Sequence, residues 1–297
     1  MSHEPLHARD PAAEEAMEVM EEIDDRARMK SSLIYEIIRH EGEEELRRPL
    51  GAPWWSGVAA GLSIGLSVLA VSHLRALPPP TDWRPAIENL GCTVGFPIVI
   101  LGRQPLFTEN TITAVAPVPA DLRWPQLGRL ARLWGVVFAA NIVGAMLFAA
   151  FLVHGGALDP AVLEAARALG EKMTAMGPAD LFVRGIVAGW LMAAIVWTIP
   201  NAEASKALII LILTYLIALG DLSHVIAGSV EVGLLAIEGS LGPVAAPTGF
   251  LIPVLAGNVV GGTVLFTLLT YGQVRREILD ESPARKDAPP PGSDGGA

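Results

Sequence analysis

Of the six histidines, His3, His7 and His40 lie in an acidic N-terminal stretch, while His73 and His154 sit at the ends of apolar runs. His224 falls deep inside such a run, within Leu-Gly-Asp-Leu-Ser-His-Val-Ile-Ala-Gly-Ser-Val-Glu, residues 219–231. An unperturbed imidazole titrates near ~6.5, so at this depth it can hold or pass a proton. The surrounding apolar segment runs from about Ala204 to Ile237, too long for one bilayer crossing of roughly 20 helical residues. Gly220, Asp221, Ser223, His224 and Gly228 interrupt its middle. A polar break at mid-membrane depth is costly unless the freed backbone faces protein or a water-filled cavity, and such breaks mark transport sites. A second overlong segment, about Ala86 to Val118, is interrupted by Gly102-Arg103-Gln104-Pro105-Leu106-Phe107-Thr108-Glu109-Asn110. Thr108 there offers a hydroxyl to a passing acid. Arg103 and Glu109 are expected to neutralise one another and pin the loop.

These side chains need a membrane scaffold. The 297 residues are 52% hydrophobic, and the mean hydropathy is +0.45. The first span is expected from about Ser56 to Leu77, ended by Pro78-Pro79-Pro80, and the third from about Leu127 to Val153. Residues 154–178 read as an external connection with a short helix. The fourth span covers about Ala179 to Ile199, ended by Pro200-Asn201, and the sixth about Thr248 to Gly272. The interrupted segments are the second and fifth. Lys and Arg placement puts both termini in the cytoplasm. Three units follow. Residues 1–50 form an acidic cytoplasmic tail, helical from Ala12 to about Arg48; residues 51–276 form the membrane domain; residues 277–297 form a disordered cytoplasmic tail. A cleavable signal peptide is not expected.

The formal charge is −10, and residues 1–48 carry 14 Asp and Glu against 7 Lys and Arg. No basic stripe is present to neutralise phosphates, so nucleic acid is excluded as a partner. The single cysteine, Cys92, rules out an intrachain disulfide and a cysteine metal cluster.

The two halves repeat one another. Ser56-Gly57-Val58-Ala59-Ala60-Gly61 matches Arg184-Gly185-Ile186-Val187-Ala188-Gly189, and Ala140-Asn141-Ile142-Val143-Gly144-Ala145 matches Gly257-Asn258-Val259-Val260-Gly261-Gly262. Three spans per half require the second half to insert upside down, with the site at the repeat interface. Glycines four apart read as close helix packing. Asn141 and Asn258 are expected to bond backbone groups freed by the breaks, with pore lining as the other role open to them. Glu231 is expected at an interface between protomers or subunits.

Three motifs resemble the formate/nitrite transporter family over roughly residues 30–275: Leu106-Phe107-Thr108 in the first break, His224 in the second, and Gly257-Asn258-Val259-Val260-Gly261-Gly262 in the last span. The resemblance implies an all-α, aquaporin-like fold of six spans as an inverted 3+3 repeat, with spans 2 and 5 broken at mid-membrane. It also implies a homopentamer with one pore per subunit in the plasma (inner) membrane, passing formate, nitrite or similar anions, often with a proton. Lys172 resembles a vestibule position. Several residues depart from the usual pattern: Ser223 stands where Glu precedes the central histidine, Gly189 where many members place a pore-facing Asn, and Arg103 and Glu109 where neutral residues are commoner. These departures resemble the YfdC-like branch.

Half-helices expected after Thr108 and after His224 would aim their positive N-terminal ends at the midplane. Leu106, Phe107, Phe96, Ile217 and Met192 are the candidate constriction, and His224 with Thr108 the candidate proton relay. Two other functions fit the same residues. One is an aquaporin-like channel for a small neutral solute, and the other a non-transporting sensor or scaffold that uses the acidic helix. Ser223 and His224 are adjacent and face apart, and no hydrolase or metalloprotease motif accompanies them, so an enzyme is not expected. No cofactor is implied.

Overall fold

Apolar runs bounded by Pro and Gly become helices throughout the computed structural model, which describes residues 29–281 apart from 78, 80, 120, 121 and 157. The readings made for residues 1–28, for Pro78 and Pro80, and for the tail from 282 onward lie outside the described residues. In chain order the helices are α1 (Ser31–Arg47), α2 (Gly51–Ala76), α3 (Arg84–Glu88), α4 (Gly95–Leu101), α5 (Phe107–Asn110), α6 (Trp124–His154), α7 (Pro160–Thr174), α8 (Pro178–Thr198), α9 (Lys206–Leu219) and α10 (Val225–Ile237). The last, α11 (Ala246–Glu277), includes two wide π-type segments, Ala246–Leu251 and Val260–Thr267. No strand occurs among the described residues.

By length and composition α2, α6, α8 and α11 can each cross a membrane, whereas α9 and α10 are shorter apolar helices. Pro stands in the first turn of α6, α7 and α8, where its missing N–H costs nothing. Asp159 caps α7 by accepting the Ala161 N–H at 2.8 Å.

Two helix pairs form the frame. α2 lies along α6, and α8 along α11. Their contacts are made by the small residues of the repeat. A Cβ at Gly61 would overlap the Asn141 carbonyl oxygen, and one at Gly189 the Asn258 carbonyl oxygen. Gly189 therefore packs helix on helix. Without a hydrophobic drive between helices in lipid, such close backbone approach supplies the packing energy.

α1 is amphipathic and lays Ile34, Tyr35, Ile38 and Leu46 against the bundle. The Tyr35 hydroxyl donates to the Ala116 carbonyl at 2.5 Å, and burial holds its phenol above the ordinary range. On α7, hydrogen bonds to Glu238 and Glu164 hold the Arg167 guanidinium above its ordinary range.

Candidate functional site

The two interruptions are built alike. α4 ends at Leu101 and α5 begins at Phe107; α9 ends at Leu219 and α10 begins at Val225. In each, the second residue of the turn takes positive φ, 51° at Arg103 and 51° at Asp221. The next amide reaches back five residues, Gln104 N to the Val99 carbonyl at 3.0 Å and Leu222 N to the Ile217 carbonyl at 2.9 Å. An asparagine then fastens the new helix start. Asn141 Oδ1 accepts the Phe107 N–H at 2.8 Å, and its Nδ2 donates to the carbonyls of Gly57 at 2.8 Å and Pro105 at 3.0 Å. Asn258 Oδ1 accepts the Val225 N–H at 2.9 Å, and its Nδ2 donates to the carbonyls of Gly185 and Ser223, both at 2.9 Å. Both amides are fully buried. This correspondence sets Leu106 against His224, each the extended residue just before its helix.

His224 meets the other break directly. Its Nε2 lies 2.8 Å from the Thr108 hydroxyl oxygen, and both side chains are buried. The Ala227 N–H donates to His224 Nδ1 at 3.3 Å, capping α10. With Nδ1 accepting, the ring hydrogen sits on Nε2 and is donated to Thr108, a tautomer inferred from the bonding. A second proton on the ring needs Nδ1, so it displaces the Ala227 N–H from the cap. Phe96 stands edge-on to the imidazole, ring centres 5.1 Å apart. Ser223 turns away toward the Met173 sulfur, 3.9 Å distant.

His224 lines a cavity of about 90 Å³ together with Phe96, Ile217, Lys172, Asp221 and Glu231. Lys172 Nζ bonds Asp221 Oδ1 at 2.6 Å beside it. Leu106, Phe107 and Met192 are buried away from that lining. Phe107 instead packs edge-on against Trp134 and Phe138 of α6.

Three expectations are corrected. Arg103 and Glu109 do not pair: the left-handed turn sends Arg103 outward, 85% exposed, to Glu41 at 3.4 Å, while Glu109 Oε1 is buried without a hydrogen-bond partner. The first half-helix starts at Phe107, ahead of Thr108, because the Asn141 staple takes the Phe107 amide, and it makes a single turn. Glu231 lines the cavity instead of an interface. Its place was legible as the seventh residue after His224 on a helix, since that spacing returns to the same face. Arg75, Glu88 and Cys92, also lining, went unread.

The chain matches the family model described as formate/nitrite transporter over residues 32–272. It is 40% identical over 264 residues to inner membrane protein YfdC of Escherichia coli (strain K12), covering 89% of this chain and 85% of that protein. It is 26% identical to uncharacterized transporter YrhG of Bacillus subtilis (strain 168), covering 77% and 88%. Among solved structures it resembles a pentameric formate channel with formate bound, at TM-score 0.66 and 20% identity over 76% of this chain and 98% of that one. It also resembles an FNT family ion channel, at TM-score 0.70 and 20% identity over 82% and 98%.

Proposed function

The chain belongs to the formate/nitrite transporter family, and from that premise we propose that it carries small monovalent weak-acid anions, formate or nitrite among them, across the inner membrane. The observation that carries the reading is the 2.8 Å contact between Thr108 of one break and His224 of the other, His224 lining an ion-sized cavity. In this reading α3 to α5 and α9 to α10 each make one interrupted span. The chain then has six spans as an inverted 3+3 repeat, with both termini cytoplasmic. The formate channel it resembles is pentameric, and a homopentamer with one pore per subunit is proposed here too.

A charge at the bilayer centre costs on the order of 2.5–3.5 kcal/mol even on insertion scales. His224 lowers that barrier by exchanging a proton with the substrate, while Thr108 keeps the ring oriented through Nε2. A neutral acid then passes the apolar walls that stop its anion. Phe96 and Ile217 supply the wall beside the imidazole, and Lys172 with Asp221 forms the polar entrance.

Formate and nitrite flux into proteoliposomes between about pH 5 and pH 8 tests this, because the protonated share of a weak acid grows as pH falls across that window. The wild type is expected to carry both anions faster at acid pH. His224→Ala is expected to lose at least about tenfold of the flux, or its pH response, as removal of a general acid–base group does. Equal flux in both proteins overturns the role of His224. Osmotic entry of a neutral solute with no anion flux favours the neutral-solute channel instead.

A further inference from the structure

Of the titratable groups in the cavity that have no part in the reading above, Glu231 stands on the same helix as His224. Glu231 lies on α10, two turns past His224. His224, Ala227, Gly228 and Glu231 all line the cavity, and steps of three, four and seven residues place them on one helix face. Seven residues separate the imidazole from the carboxylate by ~10 Å along the axis. The two residues of this face between them are Ala227 and Gly228, and the Phe250 ring packs against Gly228 where a larger side chain would stand. Gly170 of α7 packs against the Glu231 backbone carbonyl and holds this part of α10 in place.

The remaining charged groups of the lining come from α2, α3, α7 and the second break, and they are already engaged. Arg75 of α2 pairs with Glu88 of α3 at 3.0 Å, and Arg84 reaches the same carboxylate at 3.3 Å. Lys172 of α7 pairs with Asp221 of the second break at 2.6 Å. Cys92 and His224 complete the titratable lining. Among the described residues no Lys or Arg comes within ion-pair distance of the Glu231 carboxylate. Of the three carboxylates in the lining, Glu88 is held by two arginines and Asp221 by Lys172, and Glu231 is the one without an ion-pair partner among the described residues. A carboxylate that keeps its charge there is the wrong lining for a pore that passes any anion.

We propose that Glu231 is the selectivity group of this route, a carboxyl that gives its proton to an incoming weak-acid anion and turns away an anion that cannot take one. In that step the O–H bond of the Glu231 carboxyl breaks and an O–H bond forms on a substrate oxygen. The negative charge moves to Glu231, solvent at the cavity mouth returns the proton, and nothing is oxidised or reduced. The assignment rests on the reading of the chain as a weak-acid carrier, and it adds the acid that meets the substrate before His224 does.

The test compares formate, a weak-acid anion, with nitrate, a strong-acid anion, in proteoliposomes of the wild type, Glu231→Gln and Glu231→Asp. The wild type is expected to carry formate and exclude nitrate. Glu231→Gln is expected to lower the formate-to-nitrate ratio by at least about tenfold, the low end of what one sign of charge does to local ion concentration. Its formate flux should also lose the acid-side rise, and Glu231→Asp should restore both properties. On the wild type, nitrite, a weak-acid anion with no carboxyl group for the reagent to attack, should slow carbodiimide labelling of Glu231, read by peptide mass, which decides the matter even if a variant fails to assemble. Formate flux in the wild type with an unchanged ratio in Glu231→Gln, or labelling that nitrite does not slow, overturns this role of Glu231 alone. Absence of any weak-acid flux in the wild type overturns the transport reading and this one with it.

Discussion

Asn141 and Asn258 each spend one acceptor and two donors on backbone that a broken helix leaves open. A buried polar group left without its partner costs about 1–3 kcal/mol. Asn258→Ala leaves the Val225 amide and the carbonyls of Gly185 and Ser223 unmet together. It is expected to lower the melting temperature in detergent by more than about 5 °C, the shift that about 2 kcal/mol produces in a chain of this size. Size-exclusion after graded heating measures it, and a melting temperature equal to wild type would remove the staple from the account. The two asparagines were legible because they occur at matching places in two related segments. Arg103 and Glu109 were misread because sequence proximity says nothing about where a left-handed turn aims a side chain. Glu231 was misplaced because an acidic residue in an apolar helix reads equally as an interface or a lining group until its neighbours are known.

Among the elements, the long helices were legible to within a few residues at most of their ends, since apolar runs of span length closed by Pro and Gly leave little choice. α2 and α11 are the exceptions, α2 starting at Gly51 ahead of the expected Ser56 and α11 running on to Glu277 past the expected Gly272. The start of α5 was not legible to the residue, because the amide of Asn141, 34 positions away, decides it. Helix contact follows from the paired glycines, and it is specific to them. Gly189→Ala places a methyl 2.8 Å from the Asn258 Cα and into its carbonyl oxygen, so α8 and α11 must separate. Gly135→Ala, on an α6 surface with nothing within 4 Å of the new methyl, is the matched control. The yield of correctly assembled protein is expected to fall several-fold for Gly189→Ala and to hold or rise for Gly135→Ala, where Ala is the better helix former by about 0.8–1.0 kcal/mol. Equal yields would show that the close approach is not needed.

At the scale of the molecule, large apolar side chains stand exposed on several outer faces, Leu147 and Phe151 on α6, Val187 on α8 and Leu211 on α9 among them. Lipid or sister chains must cover them. Native mass spectrometry of the detergent-released protein is expected to give five times the 31.4 kDa chain, and a monomer mass under conditions that preserve flux would refute the pentamer. Membership of the family was legible from three short motifs in order, whereas the charge balance of the cavity needed α2, α3, α7 and α10 folded around one space. The matched breaks carry one more consequence. Leu106 and His224 hold the same backbone place in opposite halves, yet the helices behind them differ, 4 residues in α5 against 13 in α10. The proposed route is therefore lopsided in main chain as well as in side chain: the half that carries the imidazole is also the half with the longer helix behind it.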